Sequence, residues 1–248
     1  MLKEARFSKI LEVVNERKYA SLKALSLETG CSESTIRADI IELDKLGKLL
    51  RLRGGAQALN DESLSYELSI EEKMNLQMAE KKAIAKYAVS LIEPRSMVYL
   101  DAGTTTYYLA EELDDPSVTV ITNSVLIARK VSSKGIRAYV IGGELKLSTD
   151  AFIGPMAIES LGRFRFDIGF FGTNGIDLKQ GFTTPDVEEA TIKSKAIAQC
   201  TRYYVVADSS KFDAVTAVSF APFEGKAILT DLVKLDSYKD KGILEAQA

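Results

Sequence analysis

The residues best suited to bind a ligand are a glycine and three threonines that follow a short apolar run. In the stretch MVYLDAGTTTYYLAEEL, Gly103 and Thr104–Thr106 stand where a strand-like run gives way to a helix-like one. Glycine lets the backbone approach an anion, the free N–H groups of a helix start point toward it, and threonine hydroxyls add donors. The pattern therefore favours binding of a phosphate group.

Polar or glycine-rich residues follow four more strand-like runs. These corners are Asn123-Ser124, Gly142-Gly143-Glu144, Thr173-Asn174-Gly175 and Asp208-Ser209-Ser210-Lys211. In a parallel sheet the carboxyl ends of the strands lie at one edge, and ligands bind there. We expect the five corners to form one pocket in which Lys211 compensates the charge of a phosphate. Taken singly, each corner is equally compatible with a turn or a helix cap.

The elements that must position these corners alternate between strand and helix. The predicted strands are MVYLDA, VTVIT, RAYVI, IGFFG, YYVVA and AILTD, and helices are expected to start near Thr105, Ser124, Met156 and Glu188. A further helix, KKAIAKYAVSLI, ends before Pro94. Apolar strands interleaved with helices predict an α/β fold with a buried parallel sheet and helices on both faces.

Composition limits the chemistry that such a pocket can carry out. The 248 residues include no histidine, so Ser-His and Cys-His nucleophiles are excluded and the commonest zinc ligand is missing. Cys31 and Cys200 lie far apart, and we interpret them as reduced thiols without a metal. Neither a signal-peptide core nor a membrane-length apolar run is present. We therefore expect a cytoplasmic protein with no metal, no cofactor and no membrane partner.

Charge is distributed unevenly along the chain. Residues 1–60 hold 11 Lys and Arg against 8 Asp and Glu, whereas the remaining residues hold 21 against 27. Residues 1–60, here called the head, are thus basic, and the remaining residues, the body, are acidic. This difference indicates that only the head binds nucleic acid.

The head reads as three short helices. The first has an apolar stripe formed by Phe7, Ile10, Leu11 and Val14. Ser21 and Ser32 stand at N-cap positions before the second and third helices, Gly30 supplies the turn between them, and Gly47 ends the third. This spacing predicts a helix-turn-helix, although a purely structural three-helix domain has the same pattern.

A basic hairpin follows and makes the DNA-binding interpretation more specific. KLLRLR reads as a strand and Gly54-Gly55 as its turn, which is a wing that can lie along phosphates while the third helix enters the major groove. Arg37 is suited to read a guanine edge. The predicted contacts to DNA are Ser32, Ser34, Thr35, Arg37, Lys48, Arg51, Arg53, Gly54 and Gly55.

The segment SESTIRADIIELDKLGKLLRLRGGAQ resembles the N-terminal signature of the DeoR family of bacterial transcriptional regulators. Members of that family usually carry two adjacent basic residues in the third helix and His-Gly-Gly-Ala in the wing. This chain has Arg37-Ala38 and Arg53-Gly54-Gly55-Ala56 instead, so its preferred operator sequence is expected to differ.

The body is similar to the effector domain of the same family. The resemblance rests on LDAGTTT, VITNS, IGGEL, IGPMAIESL, FFGTNGID, GFTTPDVEEATIKSKAI and VADSSKF. It implies a fold like that of ribose-5-phosphate isomerase and a site for a phosphorylated sugar. The effector residues implied are Asp101, Gly103, Thr104, Thr105, Thr106, Asn123, Ser124, Gly142, Gly143, Asn174, Glu189, Lys193, Asp208 and Lys211.

A regulator and an isomerase-like enzyme are the two functions to weigh. Asn174 stands where the isomerase carries an acid, and Asn cannot act as a general base, although Asp177 is nearby. We therefore expect no catalytic residues. We expect a repressor that binds double-stranded operator DNA as a homo-oligomer and is released by fructose 1-phosphate or tagatose 6-phosphate. The expected domains are a winged helix-turn-helix over 1–57, a linker over 58–76 and an effector and oligomerisation domain over 77–248.

Overall fold

A computed structural model describes residues 3–17, 19–46, 48–52, 54–58 and 70–246. The chain divides into two compact units, Met1–Tyr66 and Glu67–Ala248. Three of the predicted features lie outside the described residues: the helix end at Gly47, the DNA contact at Arg53, and the part of the linker that spans 59–69.

The first unit is a winged helix-turn-helix. Its helices are α1 (Lys3–Arg17), α2 (Leu22–Thr29) and α3 (Glu33–Lys45), and its strands are β1 (Tyr19–Ser21), β2 (Leu49–Leu52) and β3 (Gly55–Ala58). Both predicted N-caps are confirmed, since Ser21 Oγ accepts from the Ala24 N–H at 3.1 Å and Ser32 Oγ accepts from the Thr35 N–H at 3.3 Å. Gly30 turns the chain between α2 and α3 with a φ of 66°.

The three helices pack around one small core. Its fully buried side chains include Ile10, Val14, Leu25, Ile36, Ile40 and Leu43. The wing is a three-stranded sheet of order β1-β3-β2, whereas the sequence predicted two strands. The extra strand, β1, has only three residues, too few for a periodic pattern.

The second unit is built around a seven-stranded sheet. Its helices are α4 (Ile70–Asn75), α5 (Met78–Ser90), α6 (Thr104–Glu112), α7 (Val125–Ser132), α8 (Pro155–Leu161) and α9 (Val187–Ile197). Its strands are β4 (Met97–Leu100), β5 (Thr119–Thr122), β6 (Arg137–Val140), β7 (Glu144–Lys146), β8 (Ala151–Ile153), β9 (Phe166–Phe171), β10 (Gly175–Asp177), β11 (Gly181–Thr184), β12 (Cys200–Val206), β13 (Val218–Ala221), β14 (Ile228–Thr230) and β15 (Leu244–Glu245).

The large sheet has the order β15-β14-β12-β9-β4-β5-β6, and every neighbouring pair is parallel. A core cluster centred on Tyr99, Phe166 and Phe171 is separate from one that contains Leu100, Ile168 and Phe170, as expected for a sheet buried on both faces. The predicted parallel α/β architecture is confirmed. Two small antiparallel sheets, β7-β8 and β10-β11-β13, were not predicted because their strands are too short.

The strand order decides which corners can meet. β4, β9 and β12 are adjacent in the middle of the sheet, whereas β5 and β6 lead away to one edge. The loops that follow the three central strands therefore share one end of the molecule. Within the described residues, no helix combines the length and the hydropathy needed to cross a bilayer.

Candidate functional site

A cavity of about 70 Å³ lies beyond the carboxyl ends of β4, β9 and β12. It is bounded by the start of α6, by α9 and by residues of α4 and α5. Its lining consists of Ile70, Lys73, Lys81, Ala102, Gly103, Thr104, Thr105, Thr149, Gly172, Thr173, Asn174, Glu189, Lys193, Val206, Ala207, Asp208 and Lys211.

The start of α6 offers unpaired donors to the cavity. Gly103 precedes the helix with extended backbone and provides no side-chain cap. Thr106 Oγ1 lies 2.6 Å from the carbonyl oxygen of Asp101 and is therefore satisfied within the fold. Among the described residues, the hydroxyls of Thr104 and Thr105 have no such partner, and both side chains line the cavity. Helix N–H groups and two hydroxyls are thus available to an anion.

The ammonium groups of Lys73 and Lys211 act on that of Lys81 near this helix start. Lys81 is only 5 % exposed and donates to the Lys73 carbonyl oxygen, and it has no ion-pair partner among the described residues. Burial lowers the pKa of Lys81 to about 8; the Asp208 carboxylate opposes this, whereas Lys211 and Lys73 add to it. An anion bound here would relieve both the burial cost and the repulsion between the lysines.

A buried ion pair forms the floor of the site. Lys193 and Asp101 are 4 % and 1 % exposed, and the Lys193 ammonium donates to Asp101 Oδ2. The same carboxylate accepts the Gly172 N–H at 3.1 Å. Burial raises the pKa of Asp101, and the ammonium of Lys193 opposes that rise. The pair ties α9 to the ends of β4 and β9, so it fixes the geometry of the pocket.

Glu189 enters the cavity from the first turn of α9. Its Oε1 accepts from Lys146 Nζ at 2.8 Å and from Thr149 Oγ1 at 2.7 Å. Asp186 caps the same helix by accepting the N–H groups of Glu188 and Glu189. The carboxylate is held in place by Lys146 and Thr149, and it can accept further hydrogen bonds from ligand hydroxyls.

The structure brings together eight of the fourteen predicted effector residues. These are Gly103, Thr104, Thr105, Asn174, Glu189, Lys193, Asp208 and Lys211. The other six lie outside the lining, and the pocket is formed by three of the five predicted corners because β5 and β6 lead away from it. Direct contact of these six residues with an effector stays a prediction without support from this geometry.

The six residues have visible structural roles or lie apart from the pocket. Asp101 belongs to the buried pair, Thr106 binds backbone, and Asn123 Oδ1 accepts the Ala102 N–H at 2.9 Å behind the helix start. Ser124 caps α7 by accepting the Ile127 N–H at 3.3 Å. Gly142 is exposed, and an added Cβ on Gly143 would lie 2.5 Å from the Ile153 carbonyl oxygen.

Sequence reasoning missed the lining residues that do not follow a strand of the large sheet. Ile70 and Lys73 come from α4, Lys81 from α5 and Thr149 from the turn between β7 and β8. A signal for one of them was present. Lys81 shares a stripe with the buried Ile84, Ala85 and Ala88 at i, i+3, i+4, i+7 spacing. A lysine at a core position of an amphipathic helix is a candidate functional residue.

Five of the predicted DNA contacts have exposed side chains that are accessible to a duplex. They are Ser32, Ser34, Arg37, Lys48 and Arg51. The hydroxyls of Ser34 and Thr35 lie 2.8 and 2.9 Å from Ser32 Oγ in one cluster at the start of α3.

The glycines of the wing have a steric role. Gly54 adopts a φ of 100°, which L side chains rarely adopt. A Cβ on Gly55 would lie 2.3 Å from the Ala20 carbonyl oxygen, so the pairing of β1 with β3 requires glycine there.

A winged helix-turn-helix joined to an α/β unit with a ligand pocket defines a ligand-responsive regulator of transcription. Two family descriptions match the chain: a DeoR-like helix-turn-helix domain over residues 6–62 and a DeoR C-terminal sensor domain over residues 76–231. The chain belongs to the DeoR family. It is a transcriptional regulator rather than an enzyme.

Relatives are similar over nearly the whole chain. An uncharacterized HTH-type transcriptional regulator FruR of Bacillus subtilis (strain 168) is 36 % identical over 99 % of this chain and 98 % of its own. A lactose phosphotransferase system repressor of Staphylococcus epidermidis is 35 % identical over 93 % of each. The HTH-type transcriptional regulator GlpR of Haloferax volcanii is 32 % identical over 100 % of this chain and 93 % of its own.

Solved structures overlap with part of the chain only. Ribose 5-phosphate isomerase A of Methanocaldococcus jannaschii matches with a TM-score of 0.40, 18 % identity and 53 % coverage of each chain. The delta subunit of eIF2B from Chaetomium thermophilum matches with a TM-score of 0.45 and 14 % identity over 66 % of this chain and 58 % of its own. Overlaps at this level do not bear on function.

Proposed function

We propose that the protein represses a sugar uptake or catabolism operon and that a phosphorylated sugar releases it from its operator. The observation that carries the proposal is that Lys73, Lys81 and Lys211 line the same cavity as the uncapped start of α6. A phosphate dianion fits this arrangement, because helix N–H groups, hydroxyls and ammonium groups all stabilise negative charge.

The rest of the cavity suits the hydroxyls of a sugar. Asn174, Glu189 and Asp208 line it and bring amide and carboxylate oxygens that accept hydrogen bonds. We propose fructose 1-phosphate as the effector, with tagatose 6-phosphate as the alternative. The proposal rests on the family resemblance, and a relative named as a lactose phosphotransferase system repressor is consistent with control of sugar uptake.

A thermal-shift panel of sugar phosphates and the matching free sugars tests the effector class. A sugar phosphate at about 100 times its Kd stabilises the folded protein by roughly 2.7 kcal/mol. The free sugars should give no shift at the same concentration, because they lack the phosphate. Equal shifts by free and phosphorylated sugars would contradict a site built for phosphate.

We propose that the protein acts in the cytoplasm as a homo-oligomer, with α3 of each head in the major groove of a repeated half-site. Release then follows from linkage: the sugar phosphate must bind the free and operator-bound states unequally. Sedimentation of the protein alone and with a two-half-site duplex tests this arrangement. A monomer in both samples would contradict it.

Substitutions on the head should separate base reading from phosphate contact. Arg37→Ala should weaken specific binding by about 1–3 kcal/mol and relax the preference at one base pair. Arg51→Ala should weaken binding to all sequences and reduce the salt slope by about 1. Gel-shift titrations at several salt concentrations measure both. Arg163→Ala, an exposed arginine of the second unit, is the matched control. Unchanged affinity in both head variants would exclude this docking of the winged helix.

The affinity for a phosphorylated sugar should fall as the pH rises above about 8. The pKa of Lys81 is about 8 in the free protein, and a bound phosphate dianion raises it again. Between these two pKa values the free protein loses a proton that the complex keeps. The affinity therefore decreases by up to about tenfold per pH unit in that window, and below the window the protonation of Lys81 makes it no longer vary with pH.

Calorimetric titrations from pH 7 to pH 9.5 measure this dependence. Lys81→Met should bind more weakly at pH 7 and lose the decline above pH 8. Lys86→Met, an exposed change on the same helix, should retain it. A wild-type affinity that is constant across this range would contradict a role for the Lys81 charge.

A further inference from the structure

Helix α4 is the first described element after residues 59–69, and little hydrophobic burial holds it in place. None of its six residues, Ile70–Asn75, is fully buried, and Met74 packs only in part against the core. A short helix of this kind has little stability of its own. Its position must therefore depend largely on specific contacts with neighbouring elements.

Hydrogen bonds along α4 provide those contacts. At its start, the Ile70 N–H donates to the Ser148 carbonyl oxygen at 2.9 Å. Near its end, the Tyr108 hydroxyl donates to the Met74 carbonyl oxygen at 3.1 Å, and the Lys81 ammonium donates to the carbonyl oxygen of the preceding residue, Lys73. The helix is thus fastened at both ends by groups outside it.

Each fastening contact comes from an element that also forms the pocket. Ser148 precedes Thr149, whose hydroxyl donates to Glu189 at 2.7 Å. Tyr108 lies one turn after Thr104 in α6, and Lys81 lines the cavity itself. Two residues of α4, Ile70 and Lys73, also line the cavity. The helix is therefore a wall of the pocket, and the groups that hold it belong to elements that also form the pocket.

The α4 wall of the cavity is less firmly packed than the walls formed by the central strands. None of its residues is fully buried, although Met74 packs in part against the core. Between α4 and α5 stands Gln77, whose φ of 51° marks a local turn of the backbone.

We propose that α4 is a latch whose position depends on whether the pocket is filled. This inference rests on the proposed function and adds the element that transmits it. The latch opens to admit the sugar phosphate, and the bound phosphate then attracts the Lys73 ammonium and offsets the repulsion that Lys73 and Lys211 exert on Lys81. In the sequence α4 is the first described element after the DNA-binding unit, and we expect the operator response to depend on its position.

Hydrogen exchange of the full-length protein tests the latch. Tyr108→Phe keeps the ring, which is 5 % exposed, and removes only the hydroxyl that donates to α4. Tyr107→Phe is the matched control, because its ring faces Lys130 at 5.2 Å instead of α4. Without any ligand, the amides of residues 70–77 should exchange faster in Tyr108→Phe than in Tyr107→Phe or the wild type. Equal exchange in the three proteins would overturn the latch.

Saturation with fructose 1-phosphate, and separately with inorganic phosphate, tests the response to filling. Exchange over residues 70–77 of the wild type should slow. The ratio of operator affinities without and with fructose 1-phosphate should be about 2- to 30-fold smaller in Tyr108→Phe than in Tyr107→Phe.

The two proposals fail in different ways in this experiment. A thermal shift with fructose 1-phosphate but no change in exchange over residues 70–77 overturns the latch alone. A normal operator response of Tyr108→Phe does the same. The absence of a thermal shift with the sugar-phosphate panel and with inorganic phosphate overturns the phosphate site, and the latch falls with it.

Discussion

Replacing Lys193 with methionine is expected to lower the free energy of unfolding of the second unit by about 3–5 kcal/mol. The substitution leaves the Asp101 carboxylate buried without its cationic partner, and breaking a buried pair from one side carries a penalty of this size. The Gly172 N–H still donates to the carboxylate, but one neutral donor does not replace an ammonium group.

Chemical denaturation followed by near-ultraviolet circular dichroism measures the loss. The double variant Asp101→Asn with Lys193→Met should regain most of the stability, because it removes both charges and keeps an acceptor for Gly172. Lys195→Met, an exposed change on the same helix, should stay within about 0.5 kcal/mol of the wild type. If Lys193→Met behaves like Lys195→Met, the pair does not hold the floor of the pocket.

Thr105→Val and Lys211→Ala are expected to give repressors that bind their operator normally and cannot be induced. Valine keeps the shape of Thr105 and loses a hydroxyl that has no partner among the described residues. Hydrogen bonds to charged groups contribute about 1.5–3 kcal/mol, so each variant should lose about 10- to 150-fold in affinity for the sugar phosphate. Neither residue lies in the DNA-binding unit.

Thr106→Val is the informative contrast to Thr105→Val. The Thr106 hydroxyl binds the backbone of the corner itself, at 2.6 Å from Asp101 O and 2.9 Å from Gly103 O. Its loss should lower the stability of the second unit. Operator affinity with and without sugar phosphate, measured for all variants, separates the two effects. Normal release of operator by Thr105→Val and Lys211→Ala would mean that the corner is a structural turn.

Local chemistry made much of the site predictable. The start of α6 after Gly103 could be found because glycine, threonine and a change of period coincide at one point. Lys211 could be found because it follows a strand in a polar turn. The Ser21 and Ser32 caps of the head have equally local causes, since a serine hydroxyl directly before a helix can accept a hydrogen bond from a free backbone N–H of its first turn.

The remaining parts depend on contacts between distant segments. The sequence predicts that the corners at Asn123 and Gly142 join the pocket, because nothing local reveals that β5 and β6 lead away from β4. Lys73 and Thr149 reach the cavity only because α4 and the β7-β8 turn close over it. Lys81 carries a local signal, because it is a charged residue on the buried stripe of α5, but that stripe by itself predicts only the helix.

The most direct test of the account is the affinity of the wild-type protein for its operator, selected from random-sequence duplexes, with and without fructose 1-phosphate or tagatose 6-phosphate. At saturating sugar phosphate the operator affinity should fall by about 5- to 150-fold, the range of ordinary coupling free energies. Free fructose and free tagatose should have no effect. An operator affinity that no phosphorylated sugar changes, or that free sugars change equally, would contradict the account.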